Sequence, residues 1–211
     1  MSTIALIGGT GYTGTNLATE AAGRGHTVIS WSRNAPAEPV PGVTYEHGPA
    51  EEATRIIPGA DAVVATLSPR GDTAGTVLGL YQTYAAAAAA AGARFIAVGG
   101  FSSLRPEAGA PRFVEGEVPE QFRAEATEMD AVREWLATSA PAELDWVFVS
   151  PAGGYGAWAA GERTGVFRVG GEVALFDDEG GSNISGADFA TAIIDEIERD
   201  EHPREHISVA Y

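Results

Sequence analysis

Apolar and polar positions alternate along the chain in blocks that predict strands and helices in regular succession. Short apolar runs predict strands buried on both faces, which are typical of a parallel sheet. These runs lie at residues 4–7, 27–31, 61–67, 95–98 and 145–149, with shorter candidates at 43–46 and 206–209. Helical patterns lie between them, one ending near residue 23 and others at residues 50–57, 73–91, 119–137 and 186–198. Strands separated by helices of this length predict an α/β fold with a doubly wound parallel sheet.

The first apolar run stops at a glycine-rich turn, and a helical pattern follows at once. Gly8 permits a backbone conformation that a side chain would forbid, and Gly14 permits the helix to pack closely on the strand. Gly11 lets the main chain approach a pyrophosphate, which the helix N-terminus attracts. Thr10, Tyr12 and Thr13 complete this turn. A strand, a glycine turn and a helix in this order predict a dinucleotide-binding site.

The pattern changes after residue 151, where glycines become frequent. They crowd residues 153–171, and two apolar runs at 166–169 and 173–176 predict a β-hairpin. No linker marks an independent second domain. Residues 1–211 are therefore predicted to form a single Rossmann-type domain, to which residues from about 151 to 211 contribute a small C-terminal substrate lobe.

The residues after the second strand bear on the choice of dinucleotide. A carboxylate in this region would bind the ribose 2′-hydroxyl of NAD, but the stretch from Ser32 to Asn34 contains none. Arg33 can instead bind the 2′-phosphate of NADP with help from Ser32 and Asn34, or it can simply solvate a loop. We therefore predict NADP as NADPH to be the preferred cofactor, with NAD as the alternative.

Further cofactor contacts are expected at the carboxyl ends of the other strands, where open α/β sheets bind ligands. The expected residues are Leu67, Ser68 and Pro69 after one strand, Gly99 and Gly100 after the next, and Pro151 and Ala152 after the last of the long apolar strands.

Composition narrows the function classes. The formal net charge is −16, from 13 basic and 29 acidic residues, so we expect neither nucleic acid nor an anionic membrane as a partner. No signal-like or spanning segment is evident, and the expected location is cytoplasmic. There is no cysteine, and the spacing of the four histidines fits no metal site, so no metal is expected. The chain is expected to be a monomer or a homodimer.

Several segments resemble the small NADH-flavin reductase-like and NmrA-like proteins among the atypical short-chain dehydrogenase/reductases, which are related to biliverdin reductase B. The first is the spacing of Gly8, Gly11 and Gly14. The others are at residues 98–104, 145–152, 161–165 and 183–190, so the resemblance spans nearly the whole chain. It implies an NAD(P)-binding Rossmann protein that reduces flavins or other small conjugated acceptors.

One departure from the wider superfamily limits the chemistry. Most short-chain dehydrogenases use a Tyr-x-x-x-Lys pair, but all 13 basic residues of this chain are arginines. Ser102 and Ser103 remain as candidate catalytic residues, and Phe101, Tyr155, Trp158 and Arg163 are expected to contact the substrate. The alternative for each aromatic residue is packing in the core or a lid. For Arg163 the alternative is to hold a loop, and the resemblance favours the site. Reduction of an already electrophilic flavin or quinone suits a site that has aromatic residues and lacks acid–base machinery.

Two other functions remain open. The missing tyrosine–lysine pair also suits a non-catalytic NADP(H)-sensing protein of the NmrA-like kind. A sugar epimerase or dehydratase is disfavoured by the absence of lysine and by the small size of the C-terminal lobe.

Overall fold

The computed structural model describes all 211 residues and contains one eight-stranded sheet flanked by helices. The strand order is β3-β2-β1-β4-β5-β6-β8-β7. The strands are β1 Thr3–Ile7, β2 Thr27–Ser32, β3 Val43–His47, β4 Ala62–Ala65, β5 Arg94–Val98, β6 Trp146–Pro151, β7 Arg168–Gly170 and β8 Glu205–Ala210. The helices are α1 Tyr12–Gly23, α2 Val77–Ala91, α3 Glu120–Ser139 and α4 Gly186–Arg199. Every strand pair is parallel except β7 with β8, which confirms the predicted doubly wound Rossmann-type fold.

The two faces of the sheet are covered by different pairs of helices. Ile4 and Leu6 of β1 point to the face that carries α1 and α4, where Phe189 is fully buried. Ala5 and Ile7 point to the opposite face, which α2 and α3 cover. Successive residues of a strand point to opposite faces, so a strand covered on both sides must be apolar throughout. This requirement produces the uninterrupted apolar runs of the sequence.

Helix α2 starts later than its pattern predicts. A helix was expected from residue 73, but Gly71–Thr73 form a single 3₁₀ turn and α2 starts at Val77. Gly75, which lies between them, has φ +77°, a left-handed conformation that interrupts a right-handed helix. No helix of the chain has both the length and the apolar character that crossing a membrane requires.

The short helix predicted at 50–57 is confirmed as a 3₁₀ helix, Ala50–Ile56. One other local prediction was wrong. The predicted hairpin of 166–169 with 173–176 does not form, because β7 instead pairs antiparallel with the free edge of β8. Val173 forms only an isolated bridge, to Arg105.

The segment predicted to supply the C-terminal lobe is joined to the main sheet. Its strands β7 and β8 extend the sheet beyond β6, and α4 packs beside α1. The loop between β6 and β7 runs back over the carboxyl ends of the strands. Asp188, fully buried at the start of α4, anchors this loop by accepting hydrogen bonds from the backbone N–H groups of Thr164 and Gly165.

Candidate functional site

A cleft of two joined chambers lies at the carboxyl ends of β1, β4, β5 and β6. The large chamber has a volume of about 590 Å³ and the small chamber about 300 Å³. The small chamber opens beside the ends of β1 and β2, and the large chamber lies toward β5 and β6. Five residues line both chambers: Gly11, Thr66, Leu67, Ser68 and Arg70. The chambers therefore form one elongated site that passes over the glycine turn.

The glycines of this turn are required for different structural reasons. Gly8 has φ +92°, a conformation that a side chain disfavours, as predicted. A Cβ on Gly14 would lie 2.2 Å from the carbonyl oxygen of Gly8, so only glycine allows α1 to approach the strand this closely. Gly11 lines the cleft, and a Cβ on it would meet nothing nearer than the carbonyl oxygen of Gly8 at 3.5 Å. The roles predicted for Gly8 and Gly14 are confirmed, whereas Gly11 is free of steric demands within the protein.

The N-terminus of α1 faces the junction of the chambers with unpaired donors. The first intrahelical acceptor is the carbonyl of Gly11, which binds the N–H of Thr15. The N–H groups of Tyr12, Thr13 and Gly14 therefore bind no protein acceptor. The N–H of Thr10 is occupied by the Ser32 hydroxyl, 3.1 Å away. Free amides at the positive end of a helix dipole form an anion-binding site.

The small chamber brings together the residues predicted to select the cofactor. Ser32, Arg33 and Asn34 all line it, as do Gly8 and Thr10. The guanidinium of Arg33 forms an ion pair with the carboxylate of Asp72. Arg33 is thus in the predicted place, but it has an acidic partner that the sequence analysis did not anticipate.

The large chamber contains most of the residues predicted for the substrate and the nicotinamide end. They are Tyr12, Thr13, Gly99, Gly100, Phe101, Ser102, Ser103, Pro151, Ala152, Tyr155 and Trp158. The ring of Phe101 stacks on Phe113 at a centroid distance of 4.8 Å. Trp158 is 79% exposed beside the cleft, and Phe122 of α3 is an exposed apolar side chain that lines the same chamber. The chamber therefore offers flat apolar surfaces.

Two predicted residues do not line the cleft. Pro69 is buried beside it, between the lining residues Ser68 and Arg70. Arg163 binds the carboxylate of Glu20 on α1 through both terminal nitrogens, at 2.7 and 3.1 Å. This ion pair fixes the loop to the far part of α1, so the assignment of Arg163 as a substrate residue is corrected to a structural one.

The hydroxyl groups of the large chamber are poor proton donors or have no partner to supply a proton. Burial raises the pKa of Tyr155, whose hydroxyl is 2.8 Å from that of Thr13. Ser103 is 1% exposed, and its hydroxyl has no hydrogen-bond partner. Ser102 is half-buried on the chamber wall, and its hydroxyl makes no hydrogen bond to an ionisable side chain. The hydroxyl groups that line the large chamber therefore form no nucleophile–base pair and no relay to a proton donor.

A buried polar network behind the large chamber was missed in the sequence. The hydroxyl of Ser150 donates to the carbonyl of Gly100, and His206 Nε2 lies 2.9 Å from the same hydroxyl. Arg112 Nη1 donates to the carbonyl of Ser103 at 2.6 Å and lies 3.5 Å from His206 Nδ1. This geometry assigns the proton of a neutral imidazole to Nε2. Burial, together with Arg112, Arg133 and Arg105, lowers the pKa of His206 to about 3.

Helix α3 also lines the large chamber, although the sequence analysis placed no site residue there. Phe122, Glu125, Ala126 and Met129 face the cleft, and Arg70 Nε donates to Glu125 at 2.7 Å. The available signal was weak: Phe122 is an apolar residue in a largely polar helical turn.

The comparisons with known proteins agree with this geometry. A family model described as NAD(P)H-binding matches residues 8–200. YwnB of Bacillus subtilis is 30% identical over 218 residues, which cover 98% of this chain and 97% of that protein.

Solved structures match over the full length. A Burkholderia pseudomallei protein with the provisional name exported protein is 33% identical at a TM-score of 0.87, covering 100% of both chains. A Streptococcus pneumoniae protein with the provisional name NADH-flavin reductase is 28% identical at a TM-score of 0.84, covering 100% of this chain and 99% of that one. A Bacteroides thetaiotaomicron protein with the provisional name epimerase is 32% identical at a TM-score of 0.85, covering 99% and 96%. These matches confirm the resemblance inferred from the motifs.

The middle and last glycines of the turn predict different stability effects. Gly14→Ala should lower the free energy of unfolding by about 1–3 kcal/mol or more, because its methyl group collides with backbone that cannot move aside. Gly11→Ala should cost less than about 1 kcal/mol, because its φ of −77° suits alanine and its methyl group would meet nothing nearer than 3.5 Å. Urea denaturation of both variants measures the difference, and equal losses would contradict the assignment.

The buried imidazole predicts a pH dependence of stability. In the unfolded chain His206 takes up a proton near pH 6.5, whereas in the folded protein its imidazole stays neutral down to about pH 3. Stability is therefore fully present above pH 6.5 and falls with decreasing pH, by up to about 1.4 kcal/mol per pH unit. Urea titrations between pH 6.5 and 5 should show a shallower slope for His206→Gln than for the wild type. The exposed-site control His47→Gln should keep the wild-type slope, and identical slopes in all three proteins would refute the prediction.

Proposed function

The chain belongs to the NAD(P)H-binding family, and from this premise we propose that it is an NADPH-preferring oxidoreductase that reduces a flavin, a quinone or a similar conjugated acceptor. The observation that carries the proposal is the cleft itself, whose two chambers meet at the unpaired amides of Tyr12, Thr13 and Gly14. A dinucleotide has its two nucleosides on either side of a pyrophosphate. The cleft has the same three-part order.

The donor set of the cleft fits the two ends of this ligand. The free amides at the start of α1 suit the pyrophosphate, and the open space at Gly11 leaves room for it. Arg33 in the small chamber supplies the cation for a 2′-phosphate, with Ser32 and Asn34 beside it. The nicotinamide then occupies the large chamber, between the ends of β5 and β6.

When it is bound, the cofactor supplies the hydride, and the residues of the large chamber orient the acceptor. Phe101 is held by stacking on Phe113, so it offers a rigid flat surface to a conjugated ring. Trp158 at the chamber mouth can cover a bound ring and exclude water. Ser102 offers a hydroxyl on the wall for orientation. Proximity and alignment would supply most of the rate acceleration in such a site.

The acceptor class is supported by two further points. The chain has no lysine, so it lacks the tyrosine–lysine pair that carbonyl reduction by short-chain dehydrogenases needs. The Streptococcus pneumoniae structure that covers the whole chain has the provisional name NADH-flavin reductase. The name epimerase on another neighbour favours sugar chemistry, but the missing lysine weighs against it.

A second candidate is a non-catalytic NADP(H)-sensing protein. The observation that favours it is the absence of any acid–base relay in the large chamber. Such a protein would bind the dinucleotide in the same cleft without turning over an acceptor, so turnover separates the two functions.

Turnover tests the proposal directly. Wild-type protein should oxidise NADPH with FMN, FAD or menadione as acceptor, followed by the loss of reduced nicotinamide absorbance. Gly11→Trp should abolish both turnover and NADPH binding, since its indole fills the junction of the chambers. Gly23→Trp is the matched control, because Gly23 ends the same helix and faces open space.

The outcomes distinguish the candidates. Calorimetric binding of NADPH without turnover of any acceptor would favour the sensor. Failure to bind either dinucleotide would contradict both functions.

Replacing either serine of the large chamber by alanine should change kcat little if alignment dominates catalysis. Ser102→Ala and Ser103→Ala should each lower kcat for flavin reduction by less than about tenfold, because a placed proton donor would contribute roughly 100-fold or more. Steady-state kinetics of both variants check this. A loss of roughly 100-fold or more in either would show that its hydroxyl takes part in the chemistry.

A further inference from the structure

We propose that Asp72 is a specificity-determining residue, which weakens NADPH binding relative to NADH by competing for the guanidinium of Arg33. The inference rests on the proposed use of the cleft for a nicotinamide dinucleotide. It concerns a residue outside the glycine turn and outside the segment after β2.

The ion pair joins opposite sides of the small chamber. Arg33 follows β2, and Asp72 lies in the 3₁₀ turn after β4, while β1 and its glycine turn lie between these two strands. Arg33 lines the small chamber, and Thr73, the neighbour of Asp72, lines it too. Asp72 itself is exposed and is not one of the lining residues, so the pair lies at the rim of the small chamber, where a 2′-substituent would bind Arg33.

The position of Asp72 is built into the backbone. The hydroxyl of Thr73 donates to the carbonyls of Ser68 and Arg70, at 2.7 and 2.8 Å, and so fixes the turn against the end of β4. Gly71 has φ +62°, which lets the chain reverse immediately before Asp72. The carboxylate is thus held beside Arg33 by an ordered turn.

This competition affects binding because the cleft offers few positive charges to a ligand. Arg33 and Arg70 are the only cationic side chains that line the two chambers. Each already has an acidic partner, Asp72 for Arg33 and Glu125 for Arg70. Thus neither cation is available to a ligand without an exchange of partners.

The exchange affects the two cofactors differently. A 2′-phosphate must replace Asp72 as the partner of Arg33 and must also tolerate a carboxylate nearby, since like charges repel. A ribose 2′-hydroxyl is neutral and can bind while the ion pair remains intact. Asp72 therefore costs affinity for NADPH and leaves affinity for NADH nearly unchanged.

The exposure of the pair limits the size of the effect. The side chains of Arg33 and Asp72 are 58% and 63% exposed, so water and salt screen their attraction. Removing the carboxylate should therefore tighten NADPH binding by about two- to fivefold. The tightening should shrink as the salt concentration rises.

Asp72→Asn tests the inference by calorimetric titration with NADPH and with NADH. The variant should bind NADPH about two- to fivefold more tightly than the wild type and leave NADH binding nearly unchanged. Asp178→Asn, which removes an exposed carboxylate that makes no ion pair, is the matched control and should change neither affinity. Arg33→Gln should weaken NADPH binding. Adding Asp72→Asn to this variant should restore little of the lost affinity, because the guanidinium for which Asp72 competes is absent.

Two results would overturn the inference in distinguishable ways. If the wild type binds both dinucleotides but Asp72→Asn leaves the NADPH to NADH affinity ratio unchanged, Asp72 has no role in specificity while the proposed function stands. If the wild type binds neither dinucleotide, the proposed function fails, and the inference fails with it.

Discussion

The close approach of α1 to the end of β1 is the constraint on which the site depends. Gly14 touches the backbone of Gly8 and Gly9 so closely that no side chain fits between them. This contact directs the first turn of α1, with its unpaired amides, at the junction of the two chambers. A helix set further out would leave these amides away from the cleft. The packing and the anion-binding property therefore have one cause.

The parts of the structure that follow from local physics could be predicted from the sequence. Apolar runs bounded by glycine gave the positions of the buried strands, and the carboxyl ends of parallel strands must share an edge of the sheet. Thus Ser32 to Asn34, Gly100 and Ser102 were all expected at one cleft, and they line it. The hairpin failed because the edge of β8 was a better partner for β7, and that edge exists only in the folded sheet.

The role of a residue could not be predicted where it depends on a partner that is distant in the sequence. The family resemblance favoured Arg163 as a site residue over one that holds a loop, but Glu20, on another element, determines where it binds. Asp72 and His206 carried no local signal, because their roles come from Arg33 and from the Arg112–Ser150 network. Ion pairs and buried hydrogen bonds between elements decide the electrostatics of this cleft. The cofactor class is therefore easier to read from the sequence than the chemistry or the strength of cofactor preference.

A crystal structure of the protein with NADPH would reveal where each part of the dinucleotide binds. We expect the pyrophosphate at the amides of Tyr12 to Gly14, the adenosine in the small chamber beside Arg33, and the nicotinamide in the large chamber near Ser102 and Phe101. A dinucleotide bound elsewhere, or with its two ends exchanged between the chambers, would contradict this placement.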